Sequence, residues 1–494
     1  MRMTSVTGGV RGTALLRALV VAAAAAAAVG AGPALAEESP AAPSHRSSSG
    51  VPLSVSLDEA IAIALTESRS IAVADAQEEA ARARLAQARA AFLPSVKGSA
   101  SYTKLDEIPY MDASGFGSMF EPLMAPFEYL VEQGYLDPST LEGLQGGGAD
   151  KIYVGDDDIY SIGLSVQQPL FTGGAILNAY GAARHGLRAA GLRGRRVEDQ
   201  TRFDVTQAYV GLVSARAAVD VMERAVEQVG SHVADLEALL EEGMILESDV
   251  MRARVQLSEV ELRKNAAEHA VQLVMAALAF TMGLNPGTDI VTLDDLTTTG
   301  FPDSALESWT GAALENRPDL FAMSEAVDAA GNAVGMARSE FFPQLVLVGN
   351  YNWDRPNRRY EPEFYEHWSA TIALQMNVFD WGGRWNRVRE AKAGRLQVEH
   401  GLAMMEDAVR LEVKQSYLEH DEAVTAVVIS EDGLVQARES LRVTRESFQS
   451  GAATNSDVLD TQTALTTAEM NRISALARLR LAEARIELAT GLMN

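Results

Sequence analysis

The residues able to do acid–base or metal chemistry are scattered along the chain, and their spacing argues against catalysis. The seven histidines (His45, His185, His232, His269, His367, His400 and His420) never pair at metal-ligand spacing, and none lies beside a candidate nucleophile. No phosphate-cradling glycine motif occurs. The run Asp156-Asp157-Asp158 lacks the glycine and the distal glutamate of a calcium loop, and reads as a solvated acidic loop. The expectation is a protein that is no enzyme and takes no cofactor or metal.

Two other segments are more informative. Gly243-Met244-Ile245-Leu246-Glu247-Ser248-Asp249-Val250 and Gly451-Ala452-Ala453-Thr454-Asn455-Ser456-Asp457-Val458 are both glycine, four variable residues, then Ser-Asp-Val, at an offset of 208. Gly243 and Gly451 suit the positive φ of a helix reversal. Ser248 and Ser456 suit amino-terminal caps, with Asp249 and Asp457 placed for the helix dipole. Capping does not explain Asp460, three residues beyond Asp457 and on the same helical face.

The elements that carry these segments follow from proline. None occurs between Gly173 and Asn285, or from Gly382 to Asn494, and both runs are rich in Ala, Leu, Glu and Arg. Helices are expected at about 57–91, 175–242, 246–283, 305–340, 384–450 and 454–491. The last helix of each half carries a heptad stripe. One runs Val250, Ala253, Leu257, Val260, Lys264, Ala267, Val271, Val274, Leu278. The other runs Val458, Thr461, Leu465, Ala468, Arg472, Ala475, Leu479, Ala482, Ile486, with its charged member at the matching place. The offset persists at Gly283-Leu284 and Gly491-Leu492, so the chain is an internal duplication. Upstream, Phe92-Leu93-Pro94 answers Phe341-Phe342-Pro343, and Gly173-Gly174 answers Gly382-Gly383.

Between those marks lie four alternating segments, at about 95–104, 159–168, 344–354 and 367–377. Val96, Gly98, Ala100 and Tyr102 alternate with Lys97, Ser99, Ser101 and Thr103; Leu345, Leu347, Tyr351 and Trp353 form one face of another. Period-two alternation over about ten residues is what a membrane β-strand beside a polar lumen needs. Four strands cannot close a barrel, and open edges in lipid cost several kcal/mol per unpaired amide. Copies of the chain must therefore complete it. Helices of this length, roughly 100 Å at 1.5 Å per residue, suit a wide aqueous gap.

Composition agrees. Residues 1–36 read as a secretory signal, with Arg2, Arg11 and Arg17, an apolar stretch from Ala18 to Val29, and Ala34-Leu35-Ala36 before the cut. Residues 37–53 are expected to be a flexible mature N-terminus. After the signal no stretch offers eighteen uncharged apolar residues in a row. The chain has no cysteine, which excludes disulfides and a lipid-modified cysteine. Its formal charge of −25 becomes −28 without the signal (39 basic residues against 67 acidic), a surface that repels nucleic acid and draws cations.

Paired repeats of helix–strand–strand–long helix–helix, the Gly-x5-Asp-Val turns and the Gly-Gly helix openings together resemble the TolC-like outer-membrane efflux family over about 54–494. The resemblance implies a mainly α fold with a membrane β-barrel portion: a trimeric 12-strand β-barrel continuous with a periplasmic α-helical barrel. It divides the chain into a first repeat at 54–285, an equatorial linker at 286–304 and a second repeat at 305–494. It implies an outer-membrane channel, extending into the periplasm, of a tripartite efflux pump or type I secretion system. Implied partners are two further copies, a periplasmic adaptor (membrane fusion) protein, an inner-membrane pump or secretion ATPase, and outer-membrane lipid. By the same resemblance Asp457 and Asp460 ring a narrow periplasmic entrance. The turns with Gly243, Met244, Ile245, Leu246, Asp249, Gly451, Ala452 and Ala453 are expected to dock the adaptor. The chain departs from the family in two places. An arginine of a closing ion pair is replaced by Ala453, and the loop 105–158 is long, its Phe116, Met119, Phe120, Leu123, Met124 and Phe127 suggesting an ordered cap. The competing reading is a periplasm-spanning coiled-coil scaffold without transport, which would not need the alternating strands.

Overall fold

The computed structural model describes residues 52–112, 126–135, 137, 151–153, 156–297 and 305–493. The first half holds β1 (Leu53–Val55), α1 (Leu57–Glu67), α2 (Arg69–Ala90), β2 (Ser95–Lys104), β3 (Tyr110–Asp112) and β4 (Lys151–Tyr153). It continues with β5 (Asp158–Phe171), α3 (Ala175–Glu241), α4 (Glu247–Thr281) and β6 (Ile290–Thr292). The second half holds α5 (Leu306–Asn316), α6 (Pro318–Ser339), β7 (Gln344–Arg355), β8 (Tyr365–Gln375), α7 (Gly383–Gln449) and α8 (Asn455–Thr490). These elements form two units. Among the described residues, one includes those within 89–174 and 339–381; the other includes those within 52–88, 175–338 and 382–493.

The first unit is built on an antiparallel sheet in the order β2-β5-β7-β8. Its register sorts side chains by chemistry. Val96 pairs with Val166, Leu164 with Tyr351, and Tyr351 with Trp368, while Leu347 pairs with Ile372 and Leu345 with Leu374. The alternate positions, such as Ser99, Gly163, Asn352 and His367, form the other face. One face is thus apolar and one polar, because side chains alternate along each strand and paired residues share a side. The Asn352 side chain packs directly over Gly163, where a Cβ would force it to move.

In the second unit, α3 and α7 have 67 residues each, roughly 100 Å apiece. Within the stripe of α4, Val250, Ala253, Val260 and Leu278 are buried; in α8, Val458, Leu465, Ala475, Leu479, Ala482 and Ile486 are. The charged members are ion-paired in matching fashion. Lys264 Nζ lies 3.1 Å from Glu223 on α3, and Arg472 Nε lies 3.6 Å from Glu431 on α7. A second core forms where β1 pairs in parallel with β6 and packs with Ala60, Ala64, Tyr209, Leu212, Leu278 and Met282. Tyr209 Oη lies 3.0 Å from the Val55 carbonyl and 2.9 Å from the Asp294 carboxylate, which also accepts from Leu57 N at 2.8 Å.

Two expected helices are each broken once. The helix at 57–91 is divided at Ser68 (ψ 133°), and that at 305–340 at Arg317 (ψ 119°). Arg317 precedes Pro318, whose ring disfavours helical ψ before it. Ser68 caps the following helix, its Oγ accepting from Ser70 N at 3.3 Å. Each break is filled by the glycine that closes the last helix of its half of the chain. Gly283 (φ +79°) abuts the Glu67 carbonyl, and a Cβ on Gly491 (φ +71°) would lie 3.1 Å from the Arg317 backbone. Buried Arg317 is held by Asp319 at 2.7 Å, by Glu412, and by the Ala489 carbonyl at 3.2 Å.

The proposed signal 1–36, residues 37–51, 298–304 of the linker, and Phe116, Met119, Phe120, Leu123 and Met124 lie outside the described residues. Phe127, in a helical turn at 126–132, is exposed.

Candidate functional site

The paired reversals join α3 to α4 and α7 to α8. At each, the glycine ends the long helix in the left-handed region, φ +72° for Gly243 and +76° for Gly451. Crossed backbone bonds close the turn. Gly243 N donates to Leu240 O at 2.9 Å and Met244 N to Leu239 O at 2.9 Å; Gly451 N donates to Phe448 O at 2.9 Å and Ala452 N to Ser447 O at 2.8 Å. This is the Schellman arrangement, which satisfies carbonyls the helix end would leave bare. A Cβ on either glycine would meet nothing within 4 Å.

The caps lie elsewhere than at the two serines. Helix α8 is capped by Thr454, whose Oγ1 accepts from Asp457 N at 3.3 Å while the Asp457 carboxylate accepts from Thr454 N at 2.8 Å and Thr454 Oγ1 at 2.7 Å. This capping box displaces Ser456, which instead accepts from Arg252 of α4. Helix α4 begins after Leu246, with no side-chain cap, so Ser248 falls within its first turn. The Thr454 hydroxyl, then its backbone N–H, hold the Asp457 carboxyl below its usual range. Asp457 and Asp460 are both exposed on the protomer.

The reversals pack against each other. Val233, Leu236, Val250, Ala253 and Leu459 form a buried cluster, with Leu240, Ile245 and Phe448 at its margin. Ile245 therefore turns inward, whereas Met244 and Leu246 stand 60% and 71% exposed, and Gly243, Gly451 and Ala452 are exposed. Ala453 is half-buried, its N–H 3.2 Å from Ser447 O. Half-buried Asp249 accepts at its carbonyl from Asn455 Nδ2 at 2.9 Å. Asn455 Oδ1 in turn lies 2.9 Å from Nε2 of buried His232 on α3. Burial pushes the His232 imidazole down, against the Asn455 hydrogen bond and Asp235. Its ring meets Phe448 edge-on at 5.5 Å. Neither Asn455 nor His232 was singled out in the sequence; a polar residue between Thr454 and Ser456 carries no periodic signal that it is buried.

Among the described residues, a four-stranded sheet with one apolar face and two edge strands accompanies long paired helices. The Outer membrane efflux protein family matches residues 140–284 and 309–492, and the chain belongs to it. It is thus an outer-membrane export channel reaching into the periplasm, a transport protein, which favours the duct over the inert scaffold. The chain is 26% identical over 365 residues to the alkaline protease secretion protein AprF of Pseudomonas aeruginosa, covering 67% of this chain and 72% of AprF. It is 24% identical over 340 residues to the outer membrane efflux protein BepC of Brucella suis, covering 68% and 72%. Its fold is similar to that of the Campylobacter jejuni CmeC outer membrane channel, with a TM-score of 0.71 at 16% identity over 88% of this chain and 85% of CmeC.

Proposed function

We propose that three copies of this chain assemble into a passive duct, gated at the reversals by Asp457 and Asp460 and docked there by a periplasmic adaptor. The adaptor couples it to an inner-membrane pump or secretion ATPase. The observation that carries the assembly is the open sheet: β2 and β8 are its edges, and lipid tolerates no unpaired edge. Three sheets of four strands close a barrel of twelve, with the apolar face toward lipid. Exposed apolar residues at seven-residue spacing support neighbouring copies. Met404, Leu411 and Leu418 on α7 are 73%, 67% and 54% exposed, and Val255 and Leu262 on α4 are 62% and 72% exposed. On this reading, 54–285 and 305–494 act as two structural repeats joined by a linker at 286–304.

Threefold symmetry makes Asp457 and Asp460 two stacked carboxylate rings at one constriction, which select cations. Since Asp457 also caps α8, Asp460 has the freer carboxylate. The adaptor contact falls on Met244, Leu246 and Ala452, with Gly243 and Gly451 admitting close backbone approach; Ile245, Asp249 and Ala453 support the turns from within. With Ala453 in place of an arginine, closure rests on helix packing. The test is planar-bilayer conductance of Asp457→Ala with Asp460→Ala. Block by divalent or trivalent cations from the periplasmic side should weaken strongly. Unchanged block in the double variant would reduce these aspartates to a cap and a surface charge.

A further inference from the structure

We propose that His185, Glu325 and Asp328 form a binding site for a borderline divalent cation, of the Zn2+ class, that staples α3 to α6. Sequence spacing gives no hint of such a site, since 140 residues separate His185 from Glu325. Tertiary register brings them together. The Asn178 side chain of α3 fills the space over Gly335 of α6, and a Cβ on Gly181 of α3 would lie 2.7 Å from Asn332 Oδ1 of α6. These two interlocks set an antiparallel register, and the next matched positions are His185 with Asp328 and Arg188 with Glu325.

His185 Nδ1 lies 2.6 Å from Glu325 Oε2 and 3.8 Å from Asp328 Oδ2. One ligand atom from each of the three residues falls within 4.8 Å of the others. The spacings bracket the separation of about 3.3 Å between ligand atoms of a tetrahedral ion with bonds near 2.0 Å. Arg188 approaches the other oxygen of Glu325, with Nη1 3.6 Å from Oε1, so Oε2 stays directed at the imidazole. The His185 and Glu325 side chains are 22% and 21% exposed, held at the helix contact, while that of Asp328 is 61% exposed. Water can therefore reach the site as a fourth ligand. Beyond the His–Glu hydrogen bond, Asp328 brings a second carboxylate toward the same ring nitrogen. One imidazole nitrogen with two carboxylates favours Zn2+ or Co2+ over Mg2+ or Ca2+, which prefer oxygen alone. Binding through Nδ1 places the ring hydrogen on Nε2.

The test uses the full-length protein in detergent, stripped with a chelator and titrated with Zn2+, and with Co2+ as a spectroscopic probe. One Co2+ per chain should give visible bands of low-coordinate nitrogen–oxygen ligation, and Zn2+ should raise the melting temperature. His185→Ala and Glu325→Gln should each weaken binding at least tenfold and abolish the Zn2+ shift. Asp457→Ala with Asp460→Ala should leave the Co2+ bands intact, separating this site from the acidic rings. Equal Zn2+ affinity in the parent and in His185→Ala, or in Glu325→Gln should the histidine variant fail to assemble, would overturn the proposal.

Discussion

Replacing Asn455 by alanine cuts the side-chain link between the two reversals. Asn455 is 5% exposed and bonds in two directions, 2.9 Å to His232 Nε2 and 2.9 Å to the Asp249 carbonyl. In the variant, half-buried Asp249 can turn its carbonyl to water. His232, 7% exposed with its ring against Phe448, cannot, and its Nε2 hydrogen loses its acceptor. An unsatisfied buried donor costs about 1–3 kcal/mol. Taking about 2 kcal/mol, the local opening equilibrium at the reversals shifts by roughly thirtyfold. Hydrogen exchange read by mass spectrometry, on the assembled protein, reports this directly. Peptides over 243–250 and 451–458 should exchange roughly thirtyfold faster, while 205–213, in the β1–β6 core, should not change. Adding His232→Leu should restore much of the protection, because removing both partners is far milder than orphaning one. Unchanged exchange at the reversals, or equal acceleration at 205–213, refutes the reasoning.

Further outcomes follow from the same geometry. His232 has its pKa depressed from the usual 6.5 by burial, with Arg445 acting in the same sense, so the folded state favours the neutral ring. Stability from His232 is complete above pH 6.5 and declines as pH falls below it, so protection factors at the reversals, taken relative to intrinsic exchange, should fall there and lose that step in His232→Phe. The depressed carboxyl of Asp457 contributes above its usual 3.8 and is lost only as pH falls through its lowered value, so the cap should survive mild acid. Gly243→Trp with Gly451→Trp meets open space, each paying roughly 1–2 kcal/mol for left-handed backbone. The assembly should survive by mass measurement while export fails; normal export would move docking elsewhere. Arg317→Ala leaves Asp319 and Glu412 with Arg196 as their remaining cation, at 3.6 Å and 3.9 Å, and should lower stability by about 2 kcal/mol, read as a fall in melting temperature.

Much of this architecture was readable from local signals. The missing prolines dictated long helices, period-two alternation marked the strands, and repeated Gly-x4-Ser-Asp-Val segments located the reversals. Those signals record energies local to a few residues: backbone propensity, side-chain periodicity, and the tolerance of glycine for positive φ. Pro318 also marks the break at Arg317, since a proline disfavours helical ψ in the residue before it. What local signals cannot encode is which polar group a distant element will need. Thr454 rather than Ser456 caps α8 because the helix starts at Asn455, two residues before the start a Ser456 cap would set, where Asp457 can return the bond. Ile245 faces inward because α4 packs it toward Leu236 and Leu459. His232 meets Asn455 across 223 residues, and His185 meets Glu325 across 140. Each contact depends on the register between helices packed over many turns, and that register is set by the summed fit of their faces, the Asn178–Gly335 and Gly181–Asn332 interlocks among them.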